Sequence, residues 1–346
     1  GSNRQGNELF HNEKSQGFTE VTTEFLVGAP EVSTRQISWI DYDNNGTLDL
    51  FVADRVGANL LFRNMAGTFV EVGSELGIDD PRATVGACWF DYNQDGLLDL
   101  FLANQGTGKD ALYRNHGRGF TDVAEQLDME GGPRGRGDGG VDCSVADFNN
   151  DGNLDMVVSA DHYNPVYAKY SSQKYSNPKR QRTVLLLGDG KGTFYIKQKL
   201  EPLMDGKFMF STVPEMTAFD FDNDGDADII SSVVGPNYSG SAWIAYENIG
   251  GKLRLVDHNI FLKPLPEWQN PKVWGSMVKD EFRHPWNSYC HKSLLIDIND
   301  DGLMDALCSA DVQRPKSPNL VLLNKGDMKF EILKPDEVTR WVSWLK

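Results

Sequence analysis

DYDNNGTLD at residues 41–49 and DYNQDGLLD at residues 91–99 are two copies of a nine-residue phrase that the chain writes five times. The other copies are DFNNDGNLD at 147–155, DFDNDGDAD at 220–228 and DINDDGLMD at 297–305. Position 1 is always aspartate: Asp41, Asp91, Asp147, Asp220 and Asp297. Position 3 is Asp43, Asn93, Asn149, Asp222 or Asn299, and position 5 is Asn45, Asp95, Asp151, Asp224 or Asp301. A glycine follows at position 6, and position 9 is again aspartate: Asp49, Asp99, Asp155, Asp228 and Asp305. Oxygen-bearing side chains at alternate positions around a glycine bend can converge on one centre, and a hard cation suits such a centre.

Calcium takes six to eight oxygens, so positions 1, 3, 5 and 9 supply side-chain ligands. The backbone carbonyl of position 7 (Thr47, Leu97, Asn153, Asp226 or Leu303) adds another, and water completes the shell. No histidine or cysteine lies in any loop, which argues against zinc or copper. An EF-hand requires a glutamate at position 12, where Val52, Leu102, Val158, Ser231 and Cys308 stand. The text after each loop reads as strand (LDLFVA, LDLFLA, LDMVVS), so these are expected to be β-loop-β calcium sites, about five in all. An acidic turn without metal is the plain reading of any single copy; five copies in register argue against it.

The chain has 346 residues, 40% of them apolar, and a formal net charge of −16. Sixteen of its carboxylates occupy positions 1, 3, 5 and 9 of the loops, so five calcium ions would bring the charge to −6. The acidity thus belongs mostly to the loops and speaks only against polyanions such as nucleic acid. No apolar run approaches 18 residues, so no membrane span is expected. Gly1-Ser2 reads as a cloning remnant, and loops with three carboxylates suit the millimolar calcium outside cells, so a secreted or periplasmic protein is expected. Cys88 lies three residues before its loop and Cys143 four before its own. Opposite parity on equivalent strands argues against pairing Cys88 with Cys143 and leaves free, buried thiols as the expectation.

A second repeat accompanies the first. Pairs of short apolar strands around Asn/Gly turns recur as LLFRN…GTFVEV from Leu60, ALYRN…GFTDV from Ala111, VLLLGDGKGTFYI from Val184, IAYENIGGKLRLV from Ile244 and VLLNKGDMKFEI from Val321. Each loop is preceded by another short strand, such as QISWI (36–40) or GACWF (86–90). The unit is strand A, acidic loop, strand B, strand C, turn, strand D. Four antiparallel strands in about 50 residues, repeated, predict an all-β propeller. Six units are counted across a single domain of residues 1–346. The ring is expected to close by pairing outer strands at about 8–21 with VTRWVSW at about 338–344.

With DYDNNGTLDLFVA, DYNQDGLLDLFLA and the LFRN…GTFVEV and LYRN…GFTDV hairpins in view, the chain resembles FG-GAP/VCBS repeats, in wording similar to the cartilage acidic protein and UnbV-type branch. The resemblance implies seven blades with calcium in the A–B loops, as in integrin α-subunits.

In a four-stranded blade the A–B and C–D turns share one face, and the B–C and D–A connections share the other. The long insertions 161–183 and 259–290 are a B–C and a D–A connection, so they are expected opposite the acidic loops. They carry the candidate ligand residues Asp161, His162, Tyr167, Trp268, Trp274 and Trp286. Aromatic faces beside polar groups suit a carbohydrate, a protein or a small molecule, and the expected function is calcium-stabilised ligand recognition. The plain alternative is that these aromatics plug a central channel. The enzymatic alternative is a lyase, cyclase or alkylating activity, with His162 and Tyr163, or His284 and Tyr289, as base and acid beside Arg136. No GxSxG or HExxH nucleophile or metalloprotease motif is present. Arg136-Gly137-Asp138 and KRQR at 179–182 are read as ordinary loop sequence.

Overall fold

In a computed structural model, each acidic phrase connects two antiparallel strands, and four such strands make a sheet. The structure describes residues 7–14, 17–22, 32–105, 109–129, 140–160, 183–201, 204–205, 208–209, 212–235, 241–256, 290, 292–309 and 320–333. A short hairpin comes first, β1 (Phe10–Asn12) and β2 (Phe18–Glu20). The first blade is β3 (Thr34–Ile40), β4 (Asp49–Asp54), β5 (Leu60–Met65) and β6 (Thr68–Glu71). A single helical turn, α1 (Gly73–Leu76), leads to the second, β7 (Thr84–Phe90), β8 (Asp99–Asn104), β9 (Ala111–Asn115) and β10 (Phe120–Asp122). The third is β11 (Cys143–Ala146), β12 (Asp155–Val158), β13 (Val184–Gly188) and β14 (Phe194–Lys199). After the two-residue strands β15 (Met204–Asp205) and β16 (Phe208–Met209) comes the fourth, β17 (Thr212–Phe219), β18 (Asp228–Val234), β19 (Ser241–Asn248) and β20 (Leu253–Leu255). The fifth is β21 (Lys292–Ile296), β22 (Asp305–Ser309), β23 (Leu320–Asn324) and β24 (Phe330–Leu333).

Each of the five sheets is a meander in chain order, so the fold is an all-β propeller with four-stranded antiparallel blades. The expected six units, and the seven blades of the resemblance, are corrected to five complete blades among the described residues. The N-terminal text expected to open a shared blade contributes only the two-stranded hairpin β1–β2, exposed throughout. The proposed closing segment, 338–344, lies outside the described residues.

Second strands carry near-continuous apolar text because both of their faces are covered. DLFVAD, DLFLAN and DIISSVV (β4, β8 and β18) are buried at every position. The chain divides into two compact units: Gly1–Cys143 with Gly188–Phe194 and Trp344–Lys346, and Ser144–Leu187 with Tyr195–Ser343. Within the first, Ile40, Phe51, Ala53 and Leu61 pack on Ala87, Leu100, Leu102 and Ala111. Within the second, one core joins Val157, Leu185 and Leu187 to Ile229, Val233 and Ile244, and another joins Ile230 and Trp243 to Ala306, Leu320 and Phe330.

The expectation of free thiols is overturned. Cys88 and Cys143 form a disulfide with Cα atoms 6.1 Å apart, and Cys290 forms another with Cys308. The parity is right and the inference from it was inverted: blades stack face to face, so the far side of one inner strand meets the near side of the next. The same pair of positions, three and four residues ahead of the loops, brings Thr217 Oγ1 within 2.6 Å of Ser293 Oγ between the fourth and fifth blades.

Candidate functional site

The acidic loops fold alike because their side chains bond their own backbone. In the first loop Asp41 Oδ1 and Oδ2 accept the N–H groups of Asn45 and Gly46, each at 2.9 Å, and Asn45 Oδ1 accepts that of Thr47 at 2.8 Å. The bonds from positions 5 and 6 to the first aspartate recur at Asp91, Asp147, Asp220 and Asp297. Position 4 is left-handed in every loop, with φ between 54° and 61° at Asn44, Gln94, Asn150, Asn223 and Asp300, a conformation that short amide and acid side chains tolerate best. Gly46 has φ 84° and open space where a Cβ would stand, so conformation rather than crowding selects glycine there.

The fifth aspartate or asparagine and the ninth aspartate play different parts. Position 9 is the first residue of strand B and is fully buried at Asp49, Asp99, Asp155, Asp228 and Asp305. Burial, reinforced by neighbouring loop aspartates, pushes the carboxyls of Asp99 and Asp228 up to about 7 and that of Asp305 up to about 6, and raises Asp49 as well. Burial also lifts Asp226, at position 7 of the fourth loop, to about 6.

These residues fit a divalent cation. Among the described residues, Asp41, Asp43 and Asp49 form one group, and Asp220, Asp222 and Asp224 another, with ligand oxygens within 4.8 Å of one another. Asp43 Oδ1, Asp49 Oδ2 and Asp226 Oδ1 are buried with no hydrogen-bond partner among the described residues. A buried carboxylate oxygen without a donor is costly, and a cation would relieve it. The other three loops have an asparagine at position 3 and form no such carboxylate triple among the described residues.

An asparagine at the end of strand C secures position 9. The backbone N–H groups of Asn64, Asn115, Asn248 and Asn324 donate to Oδ1 of Asp49, Asp99, Asp228 and Asp305 at 2.7–2.8 Å. Their side-chain carbonyls accept the N–H of the turn glycine that follows, in Gly67, Gly117, Gly251 and Gly326. The signal was present in the sequence as the recurring RN, EN and LN of strand C, there read only as turn chemistry.

Residues 41–102 and 91–158 match the family model described as FG-GAP-like repeat. The chain carries FG-GAP-like repeats in a β-propeller arrangement. The match stops at 158, whereas the loop geometry of the FG-GAP repeats continues through the fourth and fifth blades. The comparison does not single out the cartilage acidic protein and UnbV branch. No curated protein matches the chain. Among solved structures it is similar to the crystal structure of the Saccharomyces cerevisiae Sqt1, at 11% identity and a TM-score of 0.46, over 90% of this chain and 65% of that one. The chain thus spans less than two thirds of that protein, and so slight a likeness carries no argument.

The residues expected to recognise a ligand or perform catalysis, Arg136, Asp161, His162, Tyr163, Tyr167, Trp268, Trp274, His284, Trp286 and Tyr289, lie outside the described residues. The strands that bracket them are described. In the chain, residues 161–182 fall between β12 and β13, and 257–289 between β20 and β21.

Proposed function

We infer that this FG-GAP propeller is an exported calcium-binding protein whose ions brace the A–B turns, so that the opposite rim recognises a carbohydrate or protein ligand. The observation that carries the calcium reading is Asp49 Oδ2, fully buried in a ring of loop carboxylates without a donor. Asp41, Asp43, Asn45 and Asp49 would hold the ion in the first loop, with the corresponding residues in the others. Calcium there supplies charge neutralisation, not chemistry. Two disulfides fit an oxidising compartment, and no helix among the described residues is long and apolar enough to cross a membrane.

Two outcomes test the loops. Asp220→Ala removes two backbone bonds and one of four ligand carboxylates, whereas Asn45→Ala removes one backbone bond and a neutral ligand. Calcium-dependent thermal stabilisation should fall further in D220A than in N45A; equal losses would refute the ranking by charge. The second outcome concerns pH. Without a cation, Asp99, Asp228 and Asp305 keep protons in the folded state that the unfolded chain releases near pH 4. The folded state then binds more protons between about pH 4 and pH 7, so stability declines as pH rises through that window. A bound cation displaces those protons, so the melting-temperature gap between calcium-loaded and chelated protein should widen from about pH 5 to pH 7.5. A constant gap would show that these carboxyls do not face the ion.

Ligand recognition rests on the aromatic composition of the two insertions, 161–183 and 259–290. Screening calcium-loaded protein against a glycan array and a secreted-protein panel should yield a ligand whose binding Trp268→Ala and Trp286→Ala both weaken. Binding that survives both substitutions would move the site elsewhere.

A further inference from the structure

Three strand-C asparagines do more than hold their own loop. Asn115 Nδ2 donates to Leu98 O, in its own loop, at 3.0 Å and to Tyr42 O, in the preceding loop, at 2.8 Å. Asn248 reaches Ala227 O and, in the preceding loop, Phe148 O at 2.8 Å. Asn324 likewise reaches Met304 O and Phe221 O. All three amides are at least 98% buried, so neither bond is traded freely for water. Tyr42, Phe148 and Phe221 are position 2 of their loops, and the carbonyl that is gripped belongs to the peptide joining position 2 to the ligand at position 3. One asparagine therefore donates its backbone N–H to the ninth-position carboxylate of one loop and its side-chain amide to the peptide that leads into the third position of the loop before it.

The third blade breaks the pattern. Gly188 closes β13 where Asn115 closes β9, and a glycine has no side-chain amide. The carbonyl that an asparagine there would meet is that of Tyr92, in the second loop. Cys88–Cys143 ties the inner strands at this junction instead, and a disulfide between strands does not touch the loop peptide.

We propose that the asparagines couple calcium binding between successive loops, dividing the five sites into two cooperative groups: loops 1 and 2 through Asn115, and loops 3, 4 and 5 through Asn248 and Asn324. The coupling rests on the calcium reading above. Filling one loop fixes its ninth aspartate, hence the asparagine bonded to it, hence the position-2 peptide of the loop before. By linkage the effect is reciprocal.

The test is a calcium titration of the full chain read loop by loop by amide hydrogen exchange and mass spectrometry. Asp220→Ala, which disables loop 4, should raise the calcium midpoints of loops 3 and 5 by about 5-fold or more, the low end of typical site coupling. Loops 1 and 2 should keep their midpoints. In Asn248→Ala the D220A change should no longer move loop 3 while still moving loop 5. Gly188→Asn gives the converse: Asp147→Ala should shift loop 2 in that background and not in the parent. Calcium-dependent protection with independent midpoints, or equal shifts in all loops, would overturn the coupling alone. No calcium-dependent protection in any loop would overturn the calcium reading, and the coupling with it.

Discussion

Chelation should leave the protein close to unfolding at room temperature. A ligand bound only by the folded state stabilises it by about 2.7 kcal/mol per site at a hundred times its dissociation constant. Small domains hold about 5–15 kcal/mol in total, so two or three filled loops would supply a large part of that. The per-site figure already contains the relief of five fully buried aspartates, Asp49, Asp99, Asp155, Asp228 and Asp305, which emptied loops leave crowded by other carboxylates. Differential scanning calorimetry with millimolar calcium and with excess EGTA is the measurement, with magnesium in the chelated sample as a control for ionic strength. Magnesium demands tighter octahedral geometry and gives up water reluctantly, so it should restore little. Equal restoration by magnesium would point to general charge screening in place of coordination.

The disulfides carry the second large effect. In the chain-entropy model a bridge closing 55 residues, as Cys88–Cys143 does, restrains the unfolded chain by about 4 kcal/mol, and one closing 18, as Cys290–Cys308 does, by about 3 kcal/mol. Cys88→Ser with Cys143→Ser should accordingly lower the urea midpoint more than Cys290→Ser with Cys308→Ser. The larger loss has a second source. The third blade has Gly188 in place of the buried strand-C amide, so the pair of serines removes a fastening that no such amide backs up. A midpoint unchanged in the Cys88/Cys143 variant would mean that Phe90, Tyr92 and Phe194, whose rings lie 6.2–6.3 Å apart, hold that junction by themselves.

How much of this was legible in the sequence depended on whether a feature is local. The loops and their flanking strands were, because side-chain oxygens at alternate positions and a glycine at the sixth encode a turn without help from elsewhere. Blade count was not: β1 and β2 read like any other strand C and strand D, and text alone does not say whether a hairpin finds two more strands. The Cys88–Cys143 pairing was misjudged because opposite parity on equivalent strands was taken to keep the two thiols apart, whereas the bond joins strands of two different sheets. Asn115, Asn248 and Asn324 were visible as a repeated letter, but their role needs a partner 73 to 103 residues away in the chain, which local pattern does not reveal. Gly188 became informative only once its counterparts had a role that glycine cannot perform.

Native mass spectrometry of the intact chain in a volatile buffer with calcium tests the metal-braced propeller most directly. The expected result is a folded charge-state envelope carrying five calcium ions, shifting to high charge states as the ions are stripped. A folded envelope with no bound calcium at millimolar concentration would contradict it.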